Sequence, residues 1–307
     1  MFVNIFAVDN IDALNSTDIA YFKYHEGTII GFLQNLKLLP RSKVCSCGST
    51  MKFSAGRNSS DGFSFRCCVR SCRKEVSLRK GTFFYQSQLS FFQVLRLLHL
   101  WSDSKTDQQY VMKECSIGSY TTVVDWKNFI RDICLGYFIV HPNKVGGPGI
   151  KVQIDESQIC KRKFGVGRIL QTQSLWIVGG VDEEGRVFMV ETERRNASTL
   201  EHIITSYVER GSIIHSDGWR GYRSLSELGY EYVHETVIHE REFVSSTGVH
   251  TNRIEGLWSA FKRKYRSVTN KKKEMVSSYI AEWMFRRLHK GRVLSELIKS
   301  INHFYPV

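Results

Sequence analysis

Three carboxylates stand out by residue type and by where they fall. Asp155 ends the alternating run Lys151-Val-Gln-Ile-Asp155, Asp217 follows the apolar run Ser212-Ile-Ile-His-Ser216, and Glu255 lies in the first turn of an amphipathic stretch opened by Asn252. Hard, oxygen-seeking cations such as Mg2+ need a cluster of this kind, completed by substrate phosphate. The chemistry would be two-metal phosphoryl transfer, one cation activating the attacking oxygen and the other stabilising the leaving one. Asp155 would bridge two Mg2+ or Mn2+ ions, while Asp217 and Glu255 would each hold one. Each residue also has a plainer use: the aspartates as turn residues at strand ends, Glu255 as the partner of Asn252 in a capping box. Glu156 points to the opposite sheet face by strand alternation and reads as supporting or structural. His215 and His250 are candidate helpers or satisfied structural histidines.

For these carboxylates to meet, the chain between them must form a sheet and crossovers. Lys151 to Asp155, Ser174 to Gly180 and Arg186 to Glu191 read as three strands, with a hairpin turn at Val181-Asp-Glu-Glu-Gly185. Asn196 then caps a helix with Leu200, Ile203, Ile204, Tyr207 and Val208 at helical spacing, ended by Gly211. A fourth strand ends at Asp217 and a fifth spans Tyr230 to Val237. The late helix puts Ile254, Leu257, Trp258, Phe261 and Tyr265 on one side. The order β-β-β-α-β-α-β-α is that of a ribonuclease H-like mixed sheet, in which the first strand, the fourth strand and a late helix converge at one edge.

A second group of residues suits a different metal. Cys45-Ser-Cys47 and Cys67-Cys68-Val-Arg-Ser-Cys72 supply two pairs of thiols, the set a structural, tetrahedral Zn2+ requires. Cys45, Cys47, Cys67 and Cys72 are the preferred ligands, with Cys68 as the alternative to Cys67. Between them Met51, Phe53, Phe63 and Phe65 alternate as in a small β-ribbon whose core is too thin to fold without the ion. Arg66, Arg73, Lys74, Arg79 and Lys80 around it suit phosphate contacts or a solvated face. Leu89 to Trp101 reads as a core helix with Phe92, Leu95, Leu98 and Trp101 on one face. Thr106 to Cys115 and Ser119 to Tyr137, joined by a Gly-containing turn, have the layout of a helix-turn-helix or a plain helical hairpin. In the first case Tyr120, Thr121 and Lys127 would face DNA.

The charge supports a polyanionic partner. Lys and Arg number 43 against 30 Asp and Glu, a formal charge of +13 on 307 residues. Basic stretches at 41–100 and 256–307 flank an acidic middle at 151–255, as expected where carboxylates hold cations between surfaces that grip phosphates. Lys262, Arg263, Lys264, Arg266 and the run Lys271 to Lys273 belong to the second basic stretch. A hydrophobic share of 42% excludes wholesale disorder. The most apolar run, Phe91 to Trp101, is too short to cross a membrane. Met1 to Leu14 lacks the pattern of a signal peptide, so reduced thiols are expected.

Val152-Gln-Ile-Asp-Glu-Ser157, His215-Ser-Asp-Gly-Trp-Arg-Gly-Tyr222 and His250-Thr-Asn-Arg-Ile-Glu-Gly-Leu-Trp258 resemble the three catalytic blocks of Merlin-type cut-and-paste DNA transposases and their bacterial insertion-sequence relatives. Phe65-Arg-Cys67 and Cys72 to Phe84 resemble that family's zinc ribbon and the strand after it, whereas the one-residue gap in Cys45-Ser-Cys47 departs from the common ribbon pattern. The resemblance implies a DDE triad of Asp155, Asp217 and Glu255. It also implies metal-dependent cleavage at terminal inverted repeats and joining of the 3′-hydroxyls to target DNA. Bringing two ends together implies a homodimer or larger assembly, in the nucleus of a eukaryotic host or on the nucleoid otherwise. The expected organisation is an N-terminal segment (1–40), a zinc ribbon (41–85), a helical DNA-binding segment (86–144), a ribonuclease H-like catalytic domain (150–290) and a C-terminal tail (291–307), with the main boundary at Val145-Gly-Gly-Pro-Gly149. The competing readings are a host-adopted, non-catalytic DNA-binding regulator and a nuclease acting on RNA–DNA hybrids or junctions.

Overall fold

The computed structural model describes residues 8–56, 59–158, 175–222, 224–237, 251–266 and 273–307. It divides into two compact units, Met1–Ile133 with His289–Val307, and Cys134–Leu288. In the first unit two short helices, α1 (Ser16–Tyr21) and α2 (Glu26–Asn35), precede a four-stranded antiparallel sheet. Its strands are β1 (Lys43–Val44), β2 (Thr50–Ala55), β3 (Phe63–Cys67) and β4 (Glu75–Ser77). The register sets Phe53 opposite Phe65 and Met51 opposite Cys67, so alternate residues make one thin apolar face.

Helix α3 (Phe91–Ser102) starts at a Ser90–Gln93 capping box. The sequence suggests a one-sided helix with Phe92 in the core. Instead Phe91 and nearly every residue from Val94 to Trp101 are buried, Arg96 and His99 included. Arg96 pairs with Glu114 of α4 (Gln108–Cys115), and His99 Nε2 lies 2.8 Å from the Leu14 carbonyl, so each of these buried side chains has one polar partner inside the unit. Ser116 turns left-handed (φ 52°) after α4, and α5 (Tyr120–Val140) follows. The helix, turn and helix therefore form, and Val123, Trp126 and Ile130 of α5 are buried. The division between the units falls within α5.

The second unit is built on a five-stranded mixed sheet ordered β11-β10-β6-β7-β8. A short strand β5 (Val145–Gly146) precedes β6 (Lys151–Gln158), β7 (Trp176–Asp182) and β8 (Val187–Thr192), the last three forming an antiparallel meander. Asn196 caps α6 (Ala197–Tyr207) by accepting from the Thr199 N–H. The helix stops before Val208, which the periodicity had counted on its face. Val208 instead opens β9 (Val208–Glu209), parallel to β5. Thus Val145 to Gly147, part of the run expected as a linker, is buried, whereas Pro148 and Gly149 are exposed. Gly146 is needed there for close approach, since a Cβ would lie 2.3 Å from Ser212 Oγ. β10 (Ile213–Asp217) runs parallel to β6 on one side and to β11 (Val233–Val237) on the other. The helix expected between β10 and β11 is replaced, among the described residues, by 3-10 turns at Arg220–Tyr222 and Leu225–Glu227.

Helix α7 (Asn252–Arg266) and α8 (Val276–Leu288) cover one sheet face, where Ile177, Val181, Ile254, Trp258, Phe261 and Ile280 share a core. Val152, Ile154, Val178, Leu200, Ile204 and Tyr222 fill the α6 face. This helix-covered mixed sheet is compatible with a ribonuclease H-like domain. The last segment is not a tail: α9 (Val293–Phe304) returns to the first unit, burying Leu294, Leu297, Ile298 and Ile301 at i, i+3, i+4 and i+7. Asp12 Oδ1 accepts from the Leu294 and Ser295 N–H groups at its start, and Asn302 donates to the Leu36 carbonyl. Leu297→Ala should therefore cost about 2–5 kcal/mol, read as a lower urea midpoint for the unit that contains α9.

Candidate active site and thiol cluster

β6 and β10 pair as far as His215 opposite Gln153, and Asp217 and Asp155 each stand two residues beyond that pair on the two parallel strands. The odd-numbered side chains of β6 face α7. Gln153 Oε1 accepts from the Arg253 and Ile254 N–H groups at 2.9 and 3.1 Å, satisfying two of the unpaired donors at the start of the helix. One turn later, Trp258 Nε1 donates to Asp155 Oδ2 at 2.9 Å. These three bonds fix the depth and rotation of α7, and with them Glu255, whose Oε1 accepts from Thr251 Oγ1 at 3.2 Å. The start of α7 is thus capped by a sheet residue, in place of the capping box that was the plainer alternative for Asn252 and Glu255. Gly179, opposite Asp155 on β7, leaves room for the indole: a Cβ there would lie 2.7 Å from Trp258 Cη2. Asp217 Oδ1 accepts from the Trp219 N–H at 3.0 Å.

The electrostatics follow from crowding acids at a half-buried edge. Burial pushes Asp155 up to about 6; bonds from the Glu156 backbone and Trp258 oppose this, and the charges of Asp217 and Glu255 add to it. Glu156 is on the other face, beside the buried Tyr222 hydroxyl, as strand alternation requires. Burial raises it to about 7, Tyr222 opposing the shift and Asp155 and Asp217 reinforcing it. The acids therefore feel one another's charge. Their oxygens are not gathered at ligand spacing; among the described residues that spacing is met by the thiols alone. Bringing a cation between mutually repelling carboxylates is the event such a cluster favours. His215 is buried, with Nε2 2.9 Å from the Glu235 carboxylate. His250 lies outside the described residues.

The sulfurs of Cys45, Cys47, Cys67 and Cys72 all lie within 4.8 Å of one another, with Cys45–Cys72 and Cys47–Cys67 at 3.5 Å. Four sulfurs about 2.3 Å from a tetrahedral Zn2+ would sit slightly further apart than that, so the set fits this ion. Cys67 belongs to the tetrad and Cys68 is exposed outside it. Each pair stands on a tight turn: the Gly48 N–H donates to the Cys45 carbonyl, and the Cys72 N–H to that of Val69. The one-residue gap is therefore no obstacle to the cluster. A bond from the Cys47 backbone lowers the Cys45 thiol to about 6, outweighing its desolvation. Cys67 goes the other way: a Val69 backbone bond favours its thiolate, but burial and the neighbouring thiols push it up to about 12.

The expected phosphate-facing residues separate into two groups. Arg66, Arg73, Lys74, Lys80, Tyr120, Thr121, Arg263 and Lys264 are exposed. Arg79 is not: it is buried against Asp61 (Nη2 to Oδ1 2.5 Å) and donates to the Ser87 and Leu89 carbonyls, so it holds the fold together. Lys127 is half-buried and spends its ammonium on the Thr106 carbonyl at 2.6 Å. Lys262 is half-buried, the Arg266 side chain is outside the described set, and so are Lys271 and Lys272. Sequence reasoning missed Gln153 and Trp258 as positioning residues. Gln153 alternates with Asp155, a spacing that placed it on the same face, but nothing in the sequence paired it with a helix start.

Residues 147–287 match the family described as the ISXO2-like transposase domain. This segment is similar to a transposase domain of insertion-sequence type. The matched span of the transposase domain contains Asp155, Asp217 and Glu255 together with β6, β10 and α7. That likeness implies binding of DNA and use of divalent metal ions. No curated protein matches the chain. Among the described residues no helix is long and apolar enough to cross a membrane.

Two outcomes are expected. Purified protein should carry one zinc per chain by elemental analysis, retained in Cys68→Ser and lost in Cys67→Ser. Asp155 titrates near 4 when unfolded and about 6 when folded, so the folded state holds more protons in that window and loses stability as pH rises through it. Without added Mg2+ or Mn2+, Asp155→Asn should be more stable than wild type at pH 7, on the order of 1 kcal/mol, with the gain vanishing below pH 4 in thermal unfolding.

Proposed function

We propose that the protein is a cut-and-paste DNA transposase that binds terminal inverted repeats, hydrolyses phosphodiester bonds at the element ends and joins the resulting 3′-hydroxyls to target DNA. One observation carries this reading: Asp155 and Asp217 each stand two residues beyond the last paired position of adjacent parallel strands, and the helix bearing Glu255 is hydrogen-bonded to β6 through Gln153 and Trp258. That arrangement lies within a domain of transposase type.

Asp155, Asp217 and Glu255 would hold Mg2+ or Mn2+, which supply activation of the attacking oxygen and stabilisation of the leaving one. The chain's own contribution is position. Trp258 fixes the rotamer of Asp155, the Trp219 backbone fixes Asp217, and the Gln153 cap sets where Glu255 projects. Side chains held in this way leave less reorganisation for arriving cations to drive. Zn2+ held by the thiol tetrad would keep the small sheet folded, with Arg66, Arg73, Lys74 and Lys80 exposed for phosphate contacts. Tyr120 and Thr121 at the start of α5, and Arg263 and Lys264 on α7, are exposed for the same use. Joining two ends requires that two copies of the chain, or more, assemble on DNA.

The test is incubation with a labelled duplex bearing the element's terminal repeat, with and without Mg2+, beside Asp217→Ala. Cleavage should require Mg2+ and fall by more than about 100-fold in the variant, the loss of roughly 3 kcal/mol of charge stabilisation. Tight binding of the repeat without cleavage under any divalent metal would replace this reading with that of a non-catalytic DNA-binding regulator. Preferential cleavage of RNA–DNA hybrids lacking the repeat would replace it with that of a hybrid nuclease.

A further inference from the structure

The Arg195 guanidinium is sandwiched between two indoles, 4.1 Å from the Trp176 ring and 4.5 Å from that of Trp219. Trp219 is two residues beyond Asp217, and its N–H is the one bonded to the Asp217 carboxylate. The residue nevertheless remains 40% exposed. Local geometry is arranged to keep it there. At Gly221 a Cβ would lie 2.9 Å from Trp219 Nε1 and 2.7 Å from Leu200 Cδ1, so any larger residue would displace the ring. The Arg195 charge is felt by Glu156, the neighbour of Asp155, which puts the stack at the edge of the carboxylate cluster.

An exposed indole backed by a cation costs solvent exposure of apolar surface and the entropy of three ordered side chains. Nothing in the fold requires it, since the sheet cores are filled from other strands and helices. A flat π-system is what such a surface recognises, and Arg195 adds attraction for the neighbouring backbone phosphate. We infer that Trp219, braced by Arg195 and Trp176, is a stacking platform for an unpaired nucleobase next to the phosphate that is cut. A base within a duplex presents its faces to its neighbours, so occupancy requires the DNA to be opened beside Asp217. This inference rests on the transposase reading and adds to it the state of the substrate at the site.

The probe is the terminal-repeat duplex in two forms, fully paired or with an unpaired 2-aminopurine near the cleavage position, both without added divalent metal. Wild-type protein should bind the unpaired form about tenfold more tightly and quench its fluorescence, within the range that base–aromatic stacking supplies. Trp219→Ala should lose the preference and the quenching, while Trp219→Phe, which keeps a ring, should retain much of both. Equal binding of the two forms by wild type, or an undiminished preference in Trp219→Ala, would overturn the inference. Mg2+-dependent cleavage would then still leave the transposase reading standing. Failure to bind either duplex would overturn both.

Discussion

The candidate site depends on three hydrogen bonds between one strand and one helix. Gln153 caps α7 and Asp155 accepts from Trp258, so alternate residues on one face of β6 hold the helix at its start and one turn on. A helix free to slide or rotate by one residue would swing Glu255 through about 100°. The same bonds link apolar packing to chemistry, because Trp258 is both a core residue on the α7 face and the donor that orients Asp155. Gly179 and Gly180 make the packing possible from β7: a Cβ at the first would strike Trp258, and at the second Phe188 on the opposite face.

The cluster works against folding. Burial and mutual repulsion raise Asp155 and Glu156 toward neutrality, so without a cation the fold tolerates part of the charge only as bound protons. A site that favoured stability would have placed apolar residues at this edge. Acids kept where they cost energy, in a chain whose flanking stretches are strongly basic, are the physical mark of a surface that brings cations and phosphates together. The platform of Trp219 and Arg195 has the same character, being ordered and exposed with no role in the core.

The thiol tetrad solves a different problem. A sheet whose strands run from two to six residues buries too little to stand alone, and Met51, Phe65 and Cys67 are almost all of its buried apolar side chains. A metal joining the Cys45–Cys47 and Cys67–Cys72 turns would close it at one end. The buried Arg79–Asp61 pair ties it to the segment leading into α3, since Arg79 also donates to the Leu89 carbonyl and lies over the Phe91 ring. That explains why a guanidinium in a basic stretch is structural: its neighbours in sequence are exposed, and only packing distinguishes it.

The sequence alone determined what depends on local pattern and residue type. Alternation marked β6 to β8, helical spacing marked α6 and α7, Asn196 marked a helix start, and the cysteine pairs and three acids marked the two sites. It misjudged features set by contacts distant in the chain. Val208 has helical spacing but is captured as a strand by Val145, the glycine-rich run before β6 is packed against Ser212, and the last residues become a helix because Asp12 and α3 offer it a partner. Tertiary structure decided which acids share an edge, that Gln153 rather than Asn252 caps α7, that Cys67 rather than Cys68 joins the tetrad, and that Arg79 and Lys127 are spent inside the fold. Periodicity reports which face a residue occupies, but not which residue from elsewhere will meet it there.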